Sequence, residues 1–207
     1  MIVAMMAMLL MTALGVALVL TTSAETMIAR HYRTSSEALY AAGHNAAADA
    51  DALAGARLIA AWLPGVVEHP RDLPARTELL RGACHAGAAL AGSMLALAHA
   101  LAQAVGGRYG LPHGTLNGIC LPPALRFNAA IAPEAVRRFG EAIGADDPAA
   151  RVEELCRLGG PARLRDLGVP AADLPDLAAA AAARGGNRAN PRPATAAEIE
   201  ELLRSVW

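Results

Sequence analysis

The 207 residues carry a formal net charge of −1 and suit one domain or little more. They are 55% hydrophobic but only 3% aromatic, so a core must be built from Ala, Leu, Val and Met. All 18 basic residues are Arg. They are scattered and balanced by acids, as along Glu134–Glu141 and Arg151–Arg165, and the lack of a basic stripe with interleaved aromatics argues against nucleic acid as a partner.

Met1–Ala24 holds no charge, and Ile2–Leu20 is almost wholly apolar. By length this is a transmembrane or signal-segment candidate, although the basic n-region of a secretory signal is missing. Arg30 and Arg33 follow it, so a span over residues 2–20 would leave the body in the cytoplasm. A buried core helix and a shifted or misplaced reading start are the competing readings. We treat residues 1–35 as an apolar N-terminal segment and 36–207 as the folded body.

The body reads as all-α. Ala runs such as Ala178–Ala183 favour helix because Ala loses no side-chain entropy there, and no strand pattern follows residue 25. A short helix is expected over Glu37–Ala42. A second, Ala48–Leu63, has apolar positions at helical spacing and stops at Pro64. Arg76–Gly92 is rich in small residues that let another helix approach closely. Met94–Val105 ends at Gly106-Gly107, and His113–Leu121 is ended by Pro122-Pro123. Further helices are expected over Pro123–Asn128, Pro133–Ile143, Pro148–Leu158, Pro161–Leu167, Ala171–Arg184 and Thr195–Val206, several opening on Pro, which suits a first turn. Thr195 and Glu198 form a capping box, and Gly185–Pro193 is a loop. Cys84, Cys120 and Cys156 are far apart, without a CxxC, and read as buried, reduced thiols of a cytosolic protein.

His99 sits on a late helical turn and His113 opens the next helix after a Gly-Gly stop and a short loop. Such a pair can ligate a divalent metal through neutral nitrogens. By spacing alone two histidines do not make a site, since a stable one wants three or four ligands. Asn128 and Asn190 read as turn or cap residues.

Taken together, His99, Gln103, Gly106-Gly107, Leu111-Pro112-His113-Gly114, Leu121-Pro122 and Arg126-Phe127-Asn128 resemble the signature of iron-type alcohol dehydrogenases. Leu164–Pro170, Asn190-Pro191-Arg192-Pro193 and Leu202–Trp207 resemble the maleylacetate reductases within that family. The resemblance implies an all-α C-terminal domain of the iron-type alcohol dehydrogenase or dehydroquinate synthase-like fold, with the nucleotide-binding domain absent from this chain. It implies an oxidoreductase of aromatic compound degradation that reduces maleylacetate to 3-oxoadipate with NAD(P)H, with Fe2+ or Zn2+ as metal. His99 and His113 match two of the family's metal ligands, and Gln103 stands where the family has a catalytic histidine. Arg126 and Arg192 are candidates for the carboxylates of a small keto acid. Arg30 and Thr34 stand where the other two metal ligands belong, with His31 out of register, and no Gly-rich phosphate-binding loop precedes them. The expectation is a truncated, cytoplasmic form, inactive alone and open to homo-oligomer formation. The alternative is a non-catalytic helical remnant or interaction module, tethered to a membrane through residues 2–20.

Overall fold

The computed structural model describes residues 45–93 and 95–207. The apolar segment, the expected helix Glu37–Ala42, and Arg30, His31 and Thr34 lie outside the described residues. Among those described there are helices and turns but no strand. The helices are α1 (Ala46–Glu68), α2 (Leu73–Ala91), α3 (Leu97–Tyr109), α4 (His113–Ala129), α5 (Pro133–Ile143), α6 (Pro148–Arg157), α7 (Leu174–Ala182), α8 (Gly185–Ala189) and α9 (Ala196–Ser205). Single 3-10 turns occupy Arg165–Leu167 and Ala171–Asp173.

Starts are written locally. The side chains of Asn45, Asp72 and Asp147 accept from Ala48, Ala75 and Ala150 N–H, each satisfying a first-turn donor that has no partner inside its helix. Thr195 and Glu198 cap α9 reciprocally. The Glu198 carboxylate also meets the Arg192 guanidinium at 2.8 Å. Arg192 first, then Thr195, hold its pKa down at about 2 from an ordinary 4.5. A carboxylate whose pKa is lowered in the folded state stabilises the fold above its unfolded pKa. That contribution is lost as pH falls through the folded one. Glu198→Gln is therefore expected to remove part of the acid sensitivity between about pH 4.5 and pH 2, with urea midpoints against pH as the measurement; curves that stay parallel over that window would contradict it.

Prolines and glycines inside helices depart from the sequence reading. α1 runs through Pro64, α3 through Gly106-Gly107, and α4 through Pro122-Pro123. An internal proline forfeits a hydrogen bond and crowds the carbonyl four residues back. Every residue from Leu116 to Leu125 is buried, because α4 is the central helix, packed by α3, α5, α6 and α9. That enclosure outweighs the local penalty. α3 stops instead at Gly110, whose φ of 64° is the left-handed C-terminal position that glycine adopts without strain. The expected helix over 161–167 shrinks to one turn, and the expected loop over 185–193 contains α8.

α1 and α2 pack as an extensive hairpin whose seam is small. A Cβ on Gly82 would lie 2.8 Å from Ile59 Cγ1 and 3.2 Å from the Gly55 carbonyl, so only glycine permits this approach. Cys120 is buried, Cys156 is half-buried, and Cys84 is exposed rather than in the core. At the far end, Leu164 N–H donates to the Val206 carbonyl and the Trp207 indole to Val169, closing α9 over the turn at 164–169.

Candidate active site

Gly110, Leu111 and Pro112 are all that separate α3 from α4, so the end of one helix is turned directly against the start of the next. His99, two residues into α3, and His113, the first residue of α4, face each other. Their Nε2 atoms are 3.0 Å apart, with ring centroids at 4.5 Å and planes at 70°. His99 is 7% exposed and His113 half-buried. Two like nitrogens at this distance need something between them, either a proton on one ring or a metal on both. Metal–imidazole bonds of about 2.0–2.1 Å put adjacent ligand nitrogens about 3 Å apart, so the spacing suits two positions on one ion. Among the described residues no set of three or more His, Cys, Asp or Glu side chains is placed to hold a metal, and the pair supplies two donors only.

Gln103 lies one turn beyond His99 and so on the same face of α3. Its side-chain Oε1 accepts from Arg184 Nη1 at 3.4 Å, and its backbone carbonyl accepts from Nη2 at 3.1 Å. With the oxygen turned toward a guanidinium, the amide presents its N–H donors outward. It can donate to a substrate oxygen, but it cannot carry a proton as an imidazole would. Gly186 brings Arg184 there. A Cβ on Gly186 would be 2.8 Å from the Ala96 carbonyl, so glycine alone lets α8 rest on the start of α3.

The two arginines read as substrate cations both have acidic partners. Arg126 pairs with Glu153 at 2.6 Å. Arg192 pairs with Glu198 and stacks on Phe127 at 4.5 Å. Asn128 and Asn190 form a buried amide pair: each side-chain amide donates to the other's oxygen, at 3.0 and 2.8 Å, and Asn190 also donates to the Arg192 carbonyl. Asn187 similarly spans the Ala182 and Ala194 carbonyls and the Ala194 N–H. These three asparagines fasten the 183–195 segment, and with it Arg184, to the body. Asn117, one turn beyond His113, is fully buried with neither amide atom hydrogen-bonded. Sequence reading missed Arg184 and Asn117. The only trace of Arg184 was a Gly-Gly following an arginine, and nothing local marks Asn117.

The profile of the C-terminal region of the Fe-containing alcohol dehydrogenase family matches residues 33–207. Maleylacetate reductase 1 of Rhodococcus opacus is 37% identical over 172 residues, covering 83% of this chain and 48% of that protein. The 1,3-propanediol dehydrogenase of Citrobacter freundii is 33% identical over 183 residues, covering 83% and 47%. The crystal structure of maleylacetate reductase from Rhizobium sp. strain MTP-10005 superposes with a TM-score of 0.81 at 31% identity, covering 88% of this chain and 51% of that one. The chain thus spans about half the length of the relatives it matches. With helices alone among its described residues and the profile running to its last residue, the chain belongs to the Fe-containing alcohol dehydrogenase family and carries that family's C-terminal helical domain.

Proposed function

We propose that this chain is the helical half of a nicotinamide-dependent oxidoreductase that reduces a keto acid of the maleylacetate kind to its saturated product. His99 and His113 supply two imidazole donors to its divalent metal. The observation that carries the reading is the 3.0 Å separation of the two Nε2 atoms. The names of the Rhodococcus and Rhizobium relatives support the substrate. A bound metal would supply Lewis acidity toward a substrate carbonyl oxygen. The chain's own residues do the positioning. The short 110–112 turn fixes both rings, the buried run behind His113 keeps water from the rear of the site, and Gln103 turns its amide donors outward. The orphaned amide of Asn117, one turn from His113 on α4, is costly in a core.

Adding Co2+ to the purified chain tests this. The ring resonances of His99 and His113 are expected to respond together, and His113→Ala is expected to abolish the response of His99. Independent or absent responses would overturn the reading. Two donors give little chelate advantage, so metal is expected to be lost on dialysis. Iron or zinc retained stoichiometrically would show that further donors lie elsewhere in the chain.

A further inference from the structure

Resting on that reading of the site, we propose that Arg184, oriented by Gln103, is the group that recognises a substrate carboxylate, and that it sets the specificity of the site for anionic carbonyl compounds. Three other arginines are already paired with acids. Arg126 faces Glu153, Arg192 faces Glu198, and Arg108 at the end of α3 faces Asp173 and Asp176. Arg184 has no carboxylate partner among the described residues. Of the arginines in that condition, it is the one that touches the His99–Gln103 face of α3.

Its two contacts are to neutral oxygens of a single residue, Gln103, one of them long at 3.4 Å. They orient the guanidinium without cancelling its charge. Nε is buried without an acceptor, and each terminal nitrogen keeps an N–H to offer. A planar fork with uncommitted donors and full charge matches a carboxylate through two parallel bonds. The half-buried setting screens that attraction less than open solvent does. Gly107 lies beside the group: a Cβ there would stand in ordinary contact, 3.7 Å from Arg184 Nη2. Gln103 then has two roles. It holds Arg184 through its oxygen and offers its amide N–H groups to the same anion or to the adjacent carbonyl.

The test uses the full chain, with adipate as a stable dicarboxylate probe and its neutral diamide as the control, read by NMR on the arginine Nε–H resonances. Adipate is expected to shift the Arg184 signal saturably, and the diamide is not. Arg184→Gln is expected to weaken adipate binding by at least about tenfold, as loss of a charge-assisted bidentate contact should, and Arg184→Lys to recover part of it. Gln103→Glu puts a carboxylate on the atom that Arg184 already faces, and is expected to abolish binding as effectively while leaving Arg184 in place. This second variant decides the matter if Arg184→Gln fails to fold. Replacing the exposed Arg165 with Gln is expected to change nothing. Adipate affinity within about twofold of the original in both site variants, or no saturable shift in the unmodified chain, would overturn the proposal. Co2+ titration of the same samples reads the histidine pair separately. A cobalt response without dependence of adipate on Arg184 sinks this inference alone, whereas no cobalt response at His99 and His113 sinks the reading beneath it.

Discussion

Purified as these 207 residues, the chain is expected to oxidise neither NADH nor NADPH in the presence of maleylacetate. Saturating the C=C of maleylacetate requires the nicotinamide ring at near-attack distance from the alkene carbon that accepts the hydride, and such positioning is worth about 7–11 kcal/mol of barrier in well-oriented systems. A dinucleotide is normally seated by a Gly-rich turn between a strand and a helix N-terminus, where backbone N–H groups meet the pyrophosphate. The described residues contain no strand, and Met1–Tyr40 has a single glycine, Gly15. The histidine pair and Arg184 lie on helices, and the described residues offer no strand–turn–helix seat for a dinucleotide beside them. A spectrophotometric assay at high protein concentration is the measurement. Gln103→His should not rescue it, because a proton relay cannot substitute for a cofactor seat that the described residues do not offer. Substrate-dependent cofactor oxidation by the unmodified chain alone would show that a nucleotide site exists within these residues.

The second large effect concerns stability. Asn190→Leu is expected to destabilise the fold by roughly 2–3 kcal/mol, because it strands a buried partner amide at the full cost of its desolvation. Asn128 is 2% exposed and loses both bonds to Asn190, while the Arg192 carbonyl loses its donor. In a chain of this size that corresponds to a fall in melting temperature of about 4–12 °C. Asn128→Leu should cost a similar amount. The double variant should cost clearly less than the sum, since replacing both members of a buried polar pair by apolar groups removes the unsatisfied atoms. Strictly additive single effects in urea denaturation would mean that the two amides are not coupled as the geometry has them.

What the sequence made legible follows from how far each signal reaches along the chain. The starts of α5 and α6 were visible because proline at a first turn acts within its own helix turn. The Thr195–Glu198 box is equally local. The histidine pair was accessible because 14 residues separate its members and the intervening turn is short. Proline as a helix breaker failed at Pro64 and at Pro122-Pro123, because the rule counts the lost hydrogen bond and not the packing around the helix. The Asn128–Asn190 pair spans 62 residues and the Gln103–Arg184 contact 81. No propensity or spacing reports on contacts at that range.

Those separations also set an order of assembly. Closing a longer loop costs more entropy, and contacts distant in sequence form later in folding. The imidazoles are therefore expected to meet while α3 and α4 dock. The guanidinium arrives only when the 183–195 segment folds back onto them. Run in reverse, the segment fastened by Asn187 and Asn190 is the one whose partial opening would release Arg184 from Gln103 and leave the histidines facing each other. Native-state hydrogen exchange would then show backbone amides around Asn187–Ala194 opening at lower free energy than those of α4. A site organised in this way can lose its charge recognition without losing its imidazole pair.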